Sequence, residues 1–417
     1  MNYYFSDCDT VALAKEYGTP LYVMSEDIIM ERLNEIRYSF TEKYQDVQAY
    51  YASKAFLTRE MARIIKRENM GLDVVSGGEL YTAKSVDFPM EKIMFHGNNK
   101  TPEEIKTALE CKIGRFVCDS IWEIQLIDRL AKEMGVKADI LLRITPGVDS
   151  HTHKYILTGN IDSKFGIPIP HVNEAVKLSL ESEGITLKGL HFHIGSQILE
   201  NESYIMAVDI MLNLIKKIKD EVGYVAQEFN LGGGFGIKYL DDTEKRKLSY
   251  FVDPMMNSIE EFCSKNGIRR PGIFIEPGRW VVGEAGITLY TIGSIKKIPG
   301  VRTYAGIDGG FPDNPRPALY QAKYEGIIAN KADSPKKERV TIAGKCCESG
   351  DILIWDLYVP ELQPGDILAV KSTGAYGYSM ASNYNRNPKP AVVMLSKGKP
   401  RLIVKRQTYE DLLRNEC

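Results

Sequence analysis

Ile273-Phe274-Ile275-Glu276-Pro277-Gly278-Arg279 is the stretch from which the fold of this chain is read. Three consecutive apolar residues are the pattern of a short buried strand, and the Pro-Gly pair that follows forces a turn. The strand therefore delivers an acid, Glu276, and a base, Arg279, to one strand end. Read alone, a glutamate and an arginine flanking a turn are most simply a structural ion pair. Their weight comes from seven earlier apolar runs, several of which also end in polar, chemically useful residues.

Those runs are Val47 to Ala52, Gly71 to Val75, Lys92 to Phe95, Arg115 to Cys118, Ala138 to Ile144, Leu187 to Phe192 and Glu228 to Leu231, with Gly272 to Ile275 as the eighth. Helical patterns such as Thr58 to Arg67 and Thr101 to Cys111 fill the gaps. Strands alternating with helices imply a parallel sheet with right-handed crossovers, and eight units over roughly 250 residues is the size of a (β/α)8 barrel. An open doubly wound sheet is the rival. The barrel is favoured because barrel enzymes gather their chemistry at the carboxyl ends of the strands. Here those ends read Ser53-Lys54, Ser76-Gly77-Gly78, His96-Gly97-Asn98, Asp119-Ser120, Arg143, His193, Gly232-Gly233-Gly234 and Glu276. Residues 146–166, rich in Gly, Asp, Ser and Thr, read as an extended loop over one end of the barrel.

Outside this rhythm, Val11 to Tyr17 reads as an amphipathic helix and Thr19 to Met24 as a first strand. After Val282 short β-like runs with Gly and Pro turns take over: Thr288 to Gly293, Tyr304 to Ile307, Arg339 to Ala343, Ile352 to Trp355, Ile367 to Val370, Ala391 to Ser396 and Arg401 to Val404. The expected fold class is thus α/β, a (β/α)8 barrel over residues 31–282 followed by a second, all-β domain over 283–417, with residues 1–30 joining the β domain. A chain of 417 residues is also longer than a single core usually grows.

The formal net charge is −2, which argues against nucleic acid as the main partner. The amino terminus, MNYYFSDCDT, has no basic start and no apolar core of the signal-peptide kind, and no stretch approaches the run of about 18 apolar residues that spans a membrane. A cytoplasmic protein is expected. The seven cysteines are scattered, without a Cys-x-x-Cys pair, which disfavours a disulfide framework and a zinc knuckle. Cys346 and Cys347 stand apart, because they adjoin Glu348, Ser349 and Gly350 in a polar stretch where a thiol is accessible.

Lys54 closes an apolar strand with no acidic neighbour in sequence. A desolvated lysine there tends toward the neutral, nucleophilic amine, whereas one that snorkels to the rim stays an ordinary cation. Leu231-Gly232-Gly233-Gly234-Phe235-Gly236 lets backbone N–H groups turn toward an anion such as phosphate, or is a tight turn without a ligand. It has neither the dinucleotide spacing nor the Walker lysine. His191 and His193 flank Phe192 and face the same way by the strand period, and His151 and His153 repeat the spacing after Asp149. The loop is too irregular to hold three ligands rigidly and the strand pair has no carboxylate nearby, so no metal is expected. A flat His193 ring suits stacking on an aromatic cofactor. Arg316 offers a guanidinium that fits a carboxylate bidentately, and Tyr320 a phenol. Cys346 to Asp351 and Gly374-Ala375-Tyr376-Gly377 read equally well as turns.

As a set, these motifs resemble the alanine-racemase-like, fold type III, pyridoxal-phosphate decarboxylases, and within them the meso-diaminopimelate decarboxylases. The matching residues run in the family's order over nearly the whole chain: Tyr51 to Lys54, Gly77 to Leu80, His193 to Gln197, the glycine run, Glu276 to Arg279, Arg316 to Tyr320, Cys347 to Asp351, Tyr376 and Ser382 to Asn385. The resemblance implies pyridoxal 5'-phosphate as cofactor, bound covalently by Lys54 as a Schiff base, with His193 on the ring face and Glu276 on the pyridine nitrogen. It implies that Ser196, Gly233, Gly234, Gly278, Arg279 and Tyr376 hold the cofactor, largely at its phosphate. Arg279, Arg316, Tyr320, Glu348 and Tyr376 would bind an amino acid substrate, and Cys347 would be the proton donor, supplied with Glu348 by the partner of a homodimer with shared active sites. The implied reaction is decarboxylation of meso-2,6-diaminopimelate to L-lysine and carbon dioxide, the last step of lysine biosynthesis. Phe311 departs from the family pattern, which often has Met after the paired glycines Gly309 and Gly310. Two other readings are a same-fold decarboxylase of lysine, ornithine, arginine or a carboxylated polyamine, and a non-catalytic homologue that acts by binding.

Overall fold

The computed structural model describes residues 1–148 and 163–417. Asp149, His151 and His153 lie outside the described residues. Eight parallel strands, β1 (Val47–Ala52), β2 (Gly71–Val74), β3 (Ile93–Phe95), β4 (Arg115–Cys118), β5 (Ala138–Thr145), β6 (Ile185–Phe192), β7 (Glu228–Asn230) and β8 (Gly272–Ile275), pair in sequence order. β8 returns to β1, with Ile273 opposite Val47, so the sheet closes into a barrel. Helices such as Arg59–Arg67, Pro102–Cys111 and Glu202–Val222 connect the strands. The eight apolar runs expected from the sequence are these eight strands.

Several polar residues at the strand ends serve the helices that follow. The Ser76 hydroxyl accepts the Glu79 N–H at 3.2 Å, and the Glu79 carboxylate accepts the Val75 N–H at 2.8 Å. Ser120 and Glu123 repeat the arrangement, Glu123 taking the Asp119 N–H at 2.8 Å. Such reciprocal caps satisfy helix-end donors that have no partner within the helix, each worth about 1 kcal/mol.

Inside the barrel, Tyr50, Met94, Val117, Leu141 and Phe274 form a buried apolar layer. Gly71 makes room for it, since a Cβ there would lie 2.2 Å from the Tyr50 ring. Next to this layer, toward the carboxyl ends, the interior turns polar: Asp73, His96, His191, Asn230 and Glu276 are all buried. Asn230 Nδ2 lies 3.4 Å from Met94 Sδ, so the polar layer rests directly on the apolar one.

The remaining chain, Met1–Arg32, Ile237–Lys245 and Arg279–Cys417, forms a second compact unit. Its spine is the long strand Gly286–Ile298, which pairs antiparallel with Leu21–Ser25, Ile367–Val370 and Arg302–Ile307. The fully buried segment Leu21–Ser25 lies mid-sheet, parallel to Ala391–Ser396 on its other side. Glu338–Ala343 and Ile352–Val359 extend one edge and Lys399–Val404 the other. The short strands Tyr4–Phe5, Cys8–Asp9 and Gly326–Ile328 are absent from the sequence reading; two or three residues are too few to show a period.

Candidate active site

Glu276 leaves β8 into a turn packed against the end of β1: Ala52 donates its N–H to the Pro277 carbonyl at 3.4 Å, and a Cβ on Gly278 would stand 2.9 Å from that of Ala52. Lys54 follows on the 3-10 turn Ser53–Ala55. Of the two readings, desolvated strand end or rim cation, the structure has an exposed Lys54 side chain between buried Ser53 and Ala55. Asp73 and His193 nonetheless feel its charge.

The carboxylate of Glu276 is 6% exposed and lies among Asn230, His96 and His191. Its Oε1 accepts Asn230 Nδ2 at 2.7 Å and lies 2.8 Å from His96 Nε2, while Oε2 is 3.2 Å from His191 Nε2. Burial by itself raises a carboxyl pKa, but His96 and His191 outweigh it and hold Glu276 well below the usual range. Burial pushes His191 down to about 4, so its ring is neutral at pH 7. Asp73, whose Oδ1 is 3.7 Å from His96 Nε2, is raised to about 6, again by burial. The sequence expectation that the histidine strand has no carboxylate nearby is thus corrected: β8 brings Glu276 to it across the barrel.

His193 lies just past β6 and accepts the Gly233 N–H on Nδ1 at 3.3 Å. Burial first, then the charges of Lys54 and Arg143, hold it well below its ordinary pKa, so it presents an uncharged, flat ring. The glycine run is demanded by packing. A Cβ on Gly233 would fall 2.0 Å from the Glu276 carbonyl, and one on Gly234, at φ +97°, 2.1 Å from the Gly195 carbonyl. Ser196 follows Gly195, exposed. An amine, an uncharged ring, a glycine turn and a buried ionised carboxylate that retains acceptor capacity fit the parts of pyridoxal phosphate.

In the second unit Arg279 and Arg316, 8% and 7% exposed, converge on one phenol. Both donate to Tyr239 Oη, Arg316 at 3.3 Å, and Arg316 also donates to Tyr324 Oη. The Tyr376 ring lies 4.8 Å from the Arg279 guanidinium carbon and 6.0 Å from that of Arg316, with Tyr376 itself at φ +60°. Among the described residues Arg316 meets phenols and ring faces, and no carboxylate. Tyr320 ends the same short helix but is 65% exposed, so the phenol beside Arg316 belongs to Tyr324.

Cys347 and Glu348 sit on an exposed turn. Asp351 anchors it by accepting the N–H of Cys346 at 3.0 Å and of Phe311 at 2.7 Å, and Cys347 donates its N–H to Asn385 Oδ1 at 3.1 Å. Tyr384 donates to Glu348 and packs edge-on against Phe311, with ring centres 5.6 Å apart. Burial, then Asp351, raises the Cys346 thiol to about 11, which suits an inert structural thiol.

Sequence reasoning missed Asp73 and Asn230 in the barrel, and Tyr239 and Tyr324 in the second unit. The first two carried a signal, since a polar residue inside a short apolar strand must find a buried partner. The tyrosines carried none.

Residues 27–283 match the family model described as the pyridoxal binding domain of pyridoxal-dependent decarboxylases. Diaminopimelate decarboxylase of Bacillus subtilis is 50% identical over 408 residues, 97% of this chain and 93% of that protein. That of Bacillus methanolicus is 49% identical over 401 residues, 96% and 93% of the two chains. The crystal structure of diaminopimelate decarboxylase from M. jannaschii in complex with L-lysine superposes with a TM-score of 0.94 at 37% identity, over 100% of this chain and 96% of that one. With its closed barrel, its β-rich second unit and this likeness along its whole length, the chain belongs to the diaminopimelate decarboxylase family of pyridoxal-dependent enzymes.

Proposed function

We propose that the chain removes carbon dioxide from the D-configured carbon of meso-2,6-diaminopimelate to leave L-lysine, the last step of lysine biosynthesis. Bound pyridoxal 5'-phosphate supplies the conjugated ring that accepts the electron pair left behind as the carboxylate departs. Lys54 would hold the cofactor through its amine. His193 would stack on the cofactor ring, and Glu276 would keep its nitrogen protonated. Ser196, Gly233, Gly234, Gly278, Arg279 and Tyr376 hold the phosphate end. Arg316 takes the distal carboxylate of the substrate, with Arg279, Tyr320, Tyr376 and Glu348 around its distal amino acid group. Cys347 returns a proton to the carbon that lost its carboxylate. In this reading Cys347 and Glu348 reach the site from the partner subunit of a homodimer.

The observation that carries the substrate assignment is Arg316. A guanidinium 7% exposed and met by phenols calls for an anion. Lysine and ornithine have no distal carboxylate to provide one, whereas diaminopimelate does. Carbon dioxide release from meso-diaminopimelate, measured beside D-lysine, L-lysine and L-ornithine, tests this. Turnover of meso-diaminopimelate alone is expected. Arg316→Leu should lower its kcat/KM by about 10- to 100-fold, the worth of a hydrogen bond between charged groups. Preferred turnover of lysine or ornithine would overturn the roles given to Arg316 and Glu348.

A further inference from the structure

The buried polar layer at the carboxyl ends of β2, β3, β6, β7 and β8 contains more groups than the reaction above uses. We infer that His96 and His191 are positioning residues: they hold the Glu276 carboxylate ionised and fixed in rotation, and through it they keep the ring nitrogen of bound pyridoxal phosphate protonated. The inference rests on the reading that Glu276 serves that nitrogen.

The geometry divides the work between the two carboxylate oxygens. Oε1 accepts Asn230 Nδ2 at 2.7 Å, and His96 Nε2 stands 2.8 Å from it in close contact, outside hydrogen-bond geometry. Among the described residues Oε2 has His191 alone, at 3.2 Å, and a carboxylate oxygen accommodates about two donors, so Oε2 keeps an open acceptor position toward them. Rotation about the carboxyl bond is opposed from both sides. Asn230 is itself fixed, since its Oδ1 accepts the Gly232 N–H at 2.9 Å, and Glu276 donates its own N–H to the Gly232 carbonyl at 2.8 Å. The two imidazoles meet edge to face with centres 4.9 Å apart, and both are buried, at 5% and 1% exposure.

The charge balance shows why histidines are needed. Asp73 brings a second carboxyl group into the same interior, and burial disfavours the charged form of both acids. The cations that Glu276 feels from elsewhere include Arg143, paired to Asp119 at 3.7 Å. His96 stands between the acids, 2.8 Å from Glu276 and 3.7 Å from Asp73. Without the two imidazoles beside it Glu276 would be a buried acid with Asn230 as its amide donor, and such an acid takes up a proton. A protonated Glu276 no longer draws a proton onto the ring nitrogen.

The alternative is that His96 and His191 merely fill the barrel. The two ideas separate when the ring shape and the donor are removed independently in the holoenzyme, reconstituted with pyridoxal phosphate carrying nitrogen-15 in the ring. The nitrogen-15 chemical shift reports directly whether that nitrogen is protonated. Wild type is expected at the protonated value and Glu276→Gln at the bare value. His96→Phe and His191→Phe, which keep a ring and lose its nitrogens, should move toward the bare value. Their kcat should fall by about 10- to 100-fold with KM changed by no more than about twofold. His96→Gln and His191→Gln, which restore a donor amide, should recover most of both signals. Phenylalanine variants that retain the protonated shift while Glu276→Gln loses it would overturn the inference and leave the proposed role of Glu276 standing. A protonated shift in Glu276→Gln would overturn the role of Glu276 itself. If a phenylalanine variant fails to fold, the asparagine variant at the same position, whose shorter amide cannot reach Glu276, is read by the same criterion.

Discussion

Lys54 is exposed on its 3-10 turn. In the proposed reaction its importance lies in position, beside the turn that carries Glu276 and within the electrostatic reach of Asp73 and His193. Lys54→Ala should abolish the visible absorbance of covalently held cofactor together with carbon dioxide release, and a turning-over Lys54→Ala protein would remove Lys54 from the mechanism. The motif Tyr51-Ala52-Ser53-Lys54 made this residue visible in the sequence, but its exposure was not visible there. An apolar run predicts a buried strand without specifying on which residue the chain turns away. The residues around Glu276 show the opposite case. His96 and His191 stood out as histidines at strand ends, yet their common target lies 85 residues beyond His191 in sequence and was brought to them by barrel closure.

At the scale of elements, the polar strand ends combine two functions. Ser76, Ser120 and their glutamates cap helices, whereas His193, Gly233 and Glu276 face one another at the ends of β6, β7 and β8. The loop holding Gly309 to Asn314 in the second unit is held by two buried acids, Asp351, which accepts the Phe311 N–H, and Asp313. Asp313 accepts the Gly310 N–H at 2.8 Å and is 3% exposed. Burial raises its pKa from 3.8 to about 7, against the lowering effect of Tyr290 and the Gly310 N–H. The folded state therefore binds a proton between those values that the unfolded state has released. Stability must fall as pH rises through this window, and ionisation costs at most about 4 kcal/mol once pH exceeds 7. Asp313→Asn, neutral at every pH, should be more stable than wild type at pH 8 and close to it at pH 4. Denaturant unfolding at the two pH values measures this, and equal differences at both would refute the assignment.

For the whole molecule, the consequential proposal is that Cys347 and Glu348 act in the partner's site. Both lie on an exposed turn fastened to its own unit by Asp351 and Asn385, which suits a segment that presents side chains outward. Inactive Lys54→Ala and inactive Cys347→Ala subunits, mixed under conditions of exchange, should regain about a quarter of wild-type activity. Half of the dimers are then hybrids, and one of the two sites in each hybrid carries both native residues. No recovery despite demonstrated exchange would place Cys347 in the site of its own subunit.

The sequence by itself determined the barrel, its eight strands and the identity of most proposed site residues. Period, turn chemistry and helix caps are local, and the strand-end motifs occur in one order along the chain. Only the tertiary structure decided which of those residues meet and which are buried. Closing β8 onto β1 placed Glu276 among two histidines and an asparagine. Folding of the second unit set Arg316 against Tyr239 and Tyr324 and left Tyr320 in solvent. The physical reason is the same in both cases: burial and charge pairing depend on which distant segments share a volume, and no local pattern encodes that.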